Sequence, residues 1–230
     1  MVFPLSEWGA VALIIVILSL LSRFKHLLDT KGIVSAWIVG LLVYFLGGFS
    51  SFIVLVWVYV VMELSTRYAR KISGKPHETR TLGNILGNTG PAVIALAWSP
   101  SPLSVGFFGG LTAAMADTLS TEIGGLSKKK PVLITTLKEV EHGTDGGITL
   151  QGLLASLGGG LLIGFVYYTL NGRAEFIAVF GIIGLFGSLV DSVLGAVFER
   201  KGLLNNTQVN FLASSAGALI AWFLTWYRGL

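Results

Sequence analysis

Long apolar runs separated by short polar connections recur along this chain and restrict its fold more than any other feature. A helix that crosses a bilayer needs about 20 mostly apolar residues. Only 12% of the residues are charged, whereas a soluble domain averages about 25%, so a polar surface cannot cover all of these runs. The sequence therefore predicts an all-α, polytopic integral membrane protein in which residues 1–230 form a single transmembrane domain.

Eight segments are candidates for membrane-spanning helices. The second and third meet at a Gly-Gly-Phe-Ser turn at 47–50, and the fourth and fifth meet at a Ser-Pro-Ser-Pro turn at 99–102. Such short turns predict antiparallel helical hairpins. If one segment is re-entrant, the number of spans falls to seven. The eight predicted segments are 5–22, 33–48, 50–65, 83–98, 103–119, 149–170, 175–197 and 207–227.

The basic residues are distributed unevenly over the connections. Of the 16 Lys and Arg residues, all but Arg173 and Arg228 lie in or beside the first, third, fifth and seventh connections. Basic residues of short loops stay on the cytoplasmic side of a membrane. We therefore expect both termini outside and the odd-numbered connections inside. The predicted location is the cell membrane, with several crossings and with the polar site on the cytoplasmic side.

Two aspartates are placed near the cytoplasmic ends of helices that run inwards. An acid in a membrane helix is costly, so Asp117 and Asp191 are functional candidates by default. Carboxylates beside the free carbonyls of a helix C-terminus form an anionic, oxygen-rich place that suits Mg²⁺. Glu122 follows Asp117 closely. The sequence predicts catalytic and metal-binding roles for these three acids, against the alternative of acids that are simply solvated or hydrogen-bonded.

The helices that run outwards begin at the same face with small polar residues. Helix N-termini and Gly-rich turns present unpaired N–H groups and bind phosphate. The alternatives are ordinary caps, amides that join helices, and basic residues that only set topology or touch lipid headgroups. The predicted substrate- and nucleotide-binding residues are Asn84, Asn88, Arg80, Lys75, Ser120, Thr121, Lys129, Lys130, Gly143, Thr144, Gly146, Gly147, Ser188, Ser192, Asn206 and Asn210.

The residue types at this face favour one kind of chemistry. The chain has no Cys, which excludes thiolate catalysis and Cys-bound metals. It also lacks a Walker A loop, the protein-kinase motifs and a nucleophilic Ser–His arrangement. Acids for a metal ion, helix N-termini for phosphate and basic loops suit phosphoryl or nucleotidyl transfer. The other reactant is expected to be a lipid, because the site lies at the edge of the bilayer.

Four motifs, in this order, resemble the membrane phytyl-phosphate kinase family, whose prokaryotic relatives long formed a domain of unknown function. They are ADTLSTEIG at 116–124, GTDGGITLQG at 143–152, GSLVDSVLGA at 187–196 and NNTQVNF at 205–211, and the segment TRTLGNILGN at 79–88 adds to them. Asp145 stands where the family is expected to have Asn or Ser, which argues against direct phosphate binding by that side chain.

The resemblance implies a CTP-dependent kinase that uses Mg²⁺ to convert an isoprenyl monophosphate, such as phytyl, farnesyl or geranylgeranyl phosphate, to the diphosphate. A distant similarity to polyprenol kinases and CDP-diacylglycerol synthases leaves open a prenol kinase or a lipid cytidylyltransferase. Intramembrane acids and Gly-interrupted helices also occur in transporters, and a structural membrane protein is a further alternative. The expected partners are a nucleoside triphosphate, an isoprenyl phosphate and the membrane, without nucleic acid. A homodimer is left open.

Overall fold

Residues 4–74 and 79–228 are described by a computed structural model of the chain, and they form seven α-helices. Five of these, α1, α2, α5, α6 and α7, are long and apolar enough to cross a membrane by length and composition. The predicted all-helical, multi-pass architecture is thus confirmed, while eight crossings and the side of the termini stay predictions. The helices are α1 Leu5–Lys25, α2 Thr30–Ser73, α3 Leu82–Trp98, α4 Val105–Gly124, α5 Leu150–Asn171, α6 Glu175–Val197 and α7 Asn206–Arg228.

Helix α2 is interrupted at Gly48, where the chain reverses. Gly48 has φ 75° and ψ −174°, a conformation that glycine adopts at little cost. The two halves pack together, since a Cβ on Gly40 would lie 3.3 Å from the Phe52 ring. The hairpin predicted at 47–50 is therefore present. Its second half extends two turns beyond the predicted end at 65, where Arg67 pairs with Glu63 one turn earlier, a spacing that supports helix.

Helix α4 lies at the centre of the bundle and packs against α2, α3, α5, α6 and α7. Its side chains from Gly106 to Ala116 are buried, and many are Gly or Ala. Small residues let helix backbones approach closely in membranes. At Gly109, for example, a Cβ would lie 2.5 Å from the Gly217 carbonyl oxygen on α7. This close packing fixes the positions of the side chains that α4 presents at its C-terminal end.

The odd-numbered connections lie at one end of the bundle, the loop face. The first and third are joined by backbone hydrogen bonds, from the Asp29 N–H to the Arg80 carbonyl (3.2 Å) and from the Arg80 N–H to the Leu27 carbonyl (2.9 Å). The fifth contains a small antiparallel hairpin of β1 (Val132–Leu133) and β2 (Gly147–Ile148). The seventh contains a short 3₁₀ helix, Glu199–Lys201. The polar motifs therefore come together at this face.

Candidate active site

A cavity of about 440 Å³ opens at the loop face, lined by the ends of α2, α3, α4, α6 and α7 and by the α4–α5 connection. Ligand pockets in proteins typically span about 300–1,000 Å³. The cavity is thus large enough for a nucleotide or a lipid headgroup. It has an acidic wall on α4 and α6 and a basic wall on α2 and the segment before α3.

The acidic wall is built on the side-chain contact between Asp117 and Asp191. One turn before each aspartate, α4 and α6 touch through Ala113 and Gly187, where a Cβ on Gly187 would lie 2.5 Å from the Ala113 Cβ. Because residues one turn apart share a helix face, this approach of the backbones brings the two carboxyl groups together. The convergence of Asp117 and Asp191 expected from the sequence is observed, and their catalytic role stays a prediction.

The two carboxyl groups require a compensating charge. Asp191 Oδ2 is shielded from solvent and receives no hydrogen bond from the described residues. Carboxylates in contact repel each other unless a proton or a cation lies between them. Oxygen donors of this kind fit Mg²⁺, which usually takes one or two carboxylates and completes its shell with water and phosphate. Within 4–74 and 79–228, no group of three or more His, Asp or Glu residues is arranged to hold a metal ion, so the three predicted metal-binding acids do not form one cluster and the metal site stays a prediction.

Helix α4 continues further at this end than predicted. α4 extends to Gly124 instead of ending near 119, so Asp117 lies inside the helix and Glu122 lies on its last turns, not in a loop. The extended end of α4 packs closely on α5, since a Cβ on Gly124 would lie 3.0 Å from Gly152 Cα. Glu122 lines the cavity but does not join the aspartate pair, so its metal role stays a prediction.

Two further acids lie on the same wall. Asp145 and Glu199 line the cavity, and both interact electrostatically with Asp191. Asp145 is held there by Gly146, which has φ 77° and packs so closely on α6 that a Cβ would lie 2.6 Å from the Ser192 carbonyl oxygen. Neither acid was predicted as a site residue. The negative charge of this wall is therefore larger than the two motif aspartates alone would give.

The basic wall is formed by Arg80 and Arg70. Arg80 Nη2 donates a hydrogen bond to Thr66 Oγ1 (3.2 Å), and its Nε lies 3.6 Å from Glu63 Oε2. Glu63 is only 5% exposed and also accepts a 2.8 Å hydrogen bond from Arg67 Nε. Glu63 therefore positions Arg80 at the cavity. The sequence prediction missed Glu63, although it is an acid inside a predicted span and meets the criterion that selected Asp117.

The N-terminal ends of α3 and α7 form a third part of the lining. A Cβ on Gly87 would lie 2.9 Å from the Thr207 carbonyl oxygen, so the two helices meet with little space between them. This contact brings Asn84 and Asn88 of α3 to the same cavity as Asn206 and Asn210 of α7. Asn84 Oδ1 also accepts a 2.9 Å hydrogen bond from the Thr81 N–H, so part of its role is to cap α3.

Most predicted binding residues line the cavity, and a few do not. His142, which is not among the predicted binding residues, also lines it. The predicted residues that line it are Arg80, Asn84, Asn88, Asp117, Ser120, Thr121, Glu122, Gly143, Thr144, Gly146, Gly147, Asp191, Ser192, Asn206 and Asn210. Lys75 lies outside the described residues.

Lys129, Lys130 and Ser188 are not among the residues that line the cavity, so the structure does not bring them together with the other predicted binding residues. Lys130 Nζ instead donates a 2.6 Å hydrogen bond to Glu141 Oε1 on the exposed loop. This contact raises the pKa of Lys130 and lowers the pKa of Glu141. Lys129 is solvent-exposed. Ser188 is 2% exposed because it follows Gly187 in the tightly packed part of α6.

Comparison with known sequences identifies the family. Residues 13–218 match the family described as integral membrane protein DUF92. The chain belongs to the DUF92 family. It is 37% identical over 218 residues to an uncharacterized membrane protein of Methanocaldococcus jannaschii, a match that covers 90% of each chain. It is 26% identical over 217 residues to the Arabidopsis thaliana protein VTE6, chloroplastic, covering 84% of this chain and 64% of VTE6.

A third relative is an uncharacterized membrane protein of Synechocystis, 28% identical over 212 residues that cover 86% of this chain and 82% of the relative. No solved structure matches the chain. Membership of DUF92 confirms the family resemblance predicted from the four motifs. All four motifs lie within the matched range, and all four contribute residues to the cavity.

Proposed function

We propose that this protein is a membrane-embedded lipid kinase that transfers a phosphoryl group from a nucleoside triphosphate, CTP by preference, to an isoprenyl monophosphate. One observation carries the proposal: the Asp117–Asp191 contact lines the same cavity as Arg70 and Arg80, at one end of a membrane-helix bundle. Phosphoryl transfer needs such an arrangement, because catalysis is mostly positioning and neutralisation of phosphate charge. Similarity to VTE6 and the motif resemblance to prenyl-phosphate kinases support the same reaction.

The two motif aspartates are the proposed ligands of Mg²⁺, with Glu122 near them on α4. Bound there, Mg²⁺ would neutralise phosphate oxygens of the nucleotide. The uncompensated Asp191 Oδ2 is the feature of this chain that fits such an ion. We therefore assign the nucleoside triphosphate to the acidic wall.

The basic wall and the amides are proposed to bind the phosphates directly. Arg guanidinium groups and phosphate form strong, charge-assisted hydrogen bonds. Arg80 is suited to this task because Glu63 and Thr66 hold its side chain at the cavity. Asn88, only 7% exposed, supplies a further hydrogen-bonding group from α3. These groups orient both phosphates and stabilise the charge that is redistributed during transfer.

The proposed phosphoryl transfer needs no general base. A phosphate oxygen of the isoprenyl phosphate forms a bond to the γ-phosphorus of the nucleotide. The bond between that phosphorus and the β–γ bridging oxygen breaks, and the nucleoside diphosphate leaves with the electron pair. The attacking oxygen is already anionic at neutral pH, since the second pKa of a phosphate monoester is about 6. The protein therefore needs to supply positioning and charge, which the cavity offers.

A screen of purified protein in lipid nanodiscs tests the proposal. Nucleoside triphosphates are paired with prenyl alcohols and prenyl monophosphates in the presence of Mg²⁺, and products are identified by mass spectrometry. The expected products are a prenyl diphosphate and a nucleoside diphosphate. Phosphorylation of alcohols alone would indicate a prenol kinase, and release of pyrophosphate would indicate a cytidylyltransferase. Solute flux without nucleotide in proteoliposomes would replace the kinase assignment with transport. Retention of turnover in Asp117→Asn would remove the proposed metal site.

A further inference from the structure

A second cavity, of about 110 Å³, lies among α1, the two halves of α2 and α3. Tyr59 is the one ionisable residue in its described lining. Its other polar groups have partners of their own: Ser19 Oγ accepts from Trp37 Nε1 at 2.7 Å and donates to the Ile15 carbonyl at 2.6 Å. Thr89 Oγ1 donates to the Ile85 carbonyl at 2.7 Å. This apolar groove therefore offers hydrocarbon contacts and no counter-charge.

The apolar groove runs from the loop face into the interior of the bundle. On α1 its lining extends from Ser22 to Ile15, a distance of about 10 Å at 1.5 Å per residue. The groove thus runs along the helices, in the direction in which a lipid chain would lie. At about 110 Å³ the groove is smaller than the dry, apolar cavity of about 150 Å³ that holds benzene, so the groove itself fits only a short, branched part of a hydrocarbon chain.

The end of the apolar groove at the loop face adjoins the basic wall of the polar cavity. Leu28 lines the groove and forms a β-bridge with Arg80, which lines the polar cavity. Tyr59, also in the groove, is close enough to Arg80 to interact with its charge. Helix α3 lies between the two cavities, with Asn84 and Asn88 on one of its faces and Ile85 and Thr89 on the other.

We propose that the apolar groove binds the isoprenyl chain of the acceptor, with the phosphate of that lipid at Arg80. The inference rests on the proposed function and extends it, because it assigns the two substrates to different walls: the lipid phosphate to the basic wall and the nucleotide to the aspartate pair. The occupant is an amphiphile because the site joins an apolar groove to a cationic side chain. The chain beyond the groove would lie along exposed apolar side chains such as Leu86, which is 46% exposed.

Binding can be tested without turnover. Farnesyl phosphate that carries a diazirine on its second isoprene unit, counted from the phosphate, is bound to the protein in phosphatidylcholine nanodiscs without nucleotide. The sample is irradiated, and labelled residues are mapped by mass spectrometry. We expect labelling on α1, α2 and α3 around Ala36, Val56 and Ile85, and at least about tenfold less labelling when unlabelled farnesyl phosphate competes. Competition by phosphatidic acid at the same concentration would indicate a site for bulk phospholipid and overturn the proposal.

Two groove variants separate this inference from the proposed function. Ala36→Trp and Val56→Phe fill the groove. Val34→Trp is the matched control, because Val34 is also on α2 but is 50% exposed and does not line the groove. We expect each groove variant to raise the KM for geranylgeranyl phosphate at least about tenfold, and to leave the KM for dimethylallyl phosphate and for nucleotide within about twofold. Photolabelling is reduced in the same variants and kept in Val34→Trp.

The outcomes are distinct. Labelling outside the groove, or groove variants that behave like Val34→Trp, would overturn the proposal that the groove binds the isoprenyl chain, even if the kinase reaction is found. Labelling at the groove in a protein without turnover would support the groove as the binding site of the isoprenyl chain and reject the kinase assignment. If Ala36→Trp fails to reach native size on gel filtration, Val56→Phe provides the same measurement with a smaller change in volume.

Discussion

Ala113 on α4 occupies the space that a side chain on Gly187 of α6 would need, and the Cβ position of Gly187 lies 2.5 Å from the Ala113 Cβ. This contact sets the distance between the two helices one turn before Asp117 and Asp191. The aspartate pair therefore depends on the absence of a side chain at Gly187. Its geometry is a property of helix packing as well as of the acids themselves.

Replacement of Gly187 should separate the aspartates. Gly187→Ala introduces a methyl group that overlaps Ala113, so we expect a loss of stability of about 1–3 kcal/mol and a fall in kcat. The double variant Gly187→Ala/Ala113→Gly removes the opposing methyl group but leaves the new Cβ 2.9 Å from Cα of residue 113, so it should recover only part of both. Thermal unfolding in detergent measures the loss of stability, and a turnover assay measures the fall in kcat. Additive losses in the double variant would show that the contact does not control the site.

Removal of either aspartate charge should stop the reaction without unfolding the protein. Asp117→Asn and Asp191→Asn keep the side-chain volume, and each should lower kcat by about 10²–10³-fold, as the loss of one electrostatic element does in other enzymes. Glu175→Gln is the matched control, because Glu175 lies at the opposite end of α6, the helix that carries Asp191, and pairs with Arg173. Equal activity in the wild type and both Asn variants would exclude the aspartates from catalysis.

Divalent metal should be bound by the aspartate pair. We expect chelation of Mg²⁺ to abolish turnover and Mn²⁺ to restore it, since both are hard cations that accept oxygen ligands. Electron paramagnetic resonance of Mn²⁺ with nucleotide present gives the affinity directly. Asp117→Asn/Asp191→Asn should weaken that affinity at least about tenfold, whereas Glu175→Gln should leave it unchanged. Unaltered Mn²⁺ binding in the double variant would place the metal elsewhere.

Glu63 should position Arg80 for phosphate binding. Glu63→Gln removes the charge that two arginines share in a buried place, so we expect a loss of stability of about 3 kcal/mol and a rise in a substrate KM of about tenfold, with a smaller change in kcat. Glu141→Gln is the control, because its partner Lys130 is exposed and such pairs contribute little. A drop in stability with unchanged KM values would reduce Glu63 to a structural role.

Arg80 and Lys130 should differ in their effect on substrate binding. Arg80→Ala should raise the KM of a phosphate-bearing substrate by about 10–100-fold, the range expected for a lost charged hydrogen bond. Lys130→Ala should change it less than about twofold, since Lys130 contacts Glu141 outside the cavity. Steady-state kinetics at fixed Mg²⁺ compare the two variants directly. Equal effects of the two substitutions would contradict the assignment of the basic wall.

The Lys130–Glu141 contact should add no pH dependence at neutral pH. The lowered pKa of Glu141 means that its contribution is present above 4.5, the ordinary value for glutamate, and is lost as the pH falls through the lowered value. The raised pKa of Lys130 means that its contribution is present below 10.5 and is lost as the pH rises through the raised value. Both groups are charged between these limits. Thermal unfolding of Lys130→Ala and wild type across this range should therefore differ by a constant amount.

Most helix boundaries were predicted correctly from the sequence. The segment 175–197 coincides with α6, and 83–98, 149–170 and 207–227 agree with α3, α5 and α7 to within one residue at each end. Apolar composition and turn residues define such segments locally. The C-terminal ends of α2 and α4 were predicted too early, because ion pairing at Glu63 and glycine contacts at Gly124 allow both helices to continue beyond their apolar runs.

By itself, the sequence was enough to predict that Asp117, Asp191 and the basic connections meet at one face, because acids in apolar spans and basic residues in short loops are costly to place anywhere else. Tertiary structure alone decided that Arg70, His142, Asp145 and Glu199 join the cavity, that Glu63 holds Arg80, and that Lys129, Lys130 and Ser188 do not. A side chain in a loop or at a helix end can turn towards several neighbours. Which neighbour it meets depends on the distances between helices, and those distances are set by glycines and alanines that carry no chemical signal of their own.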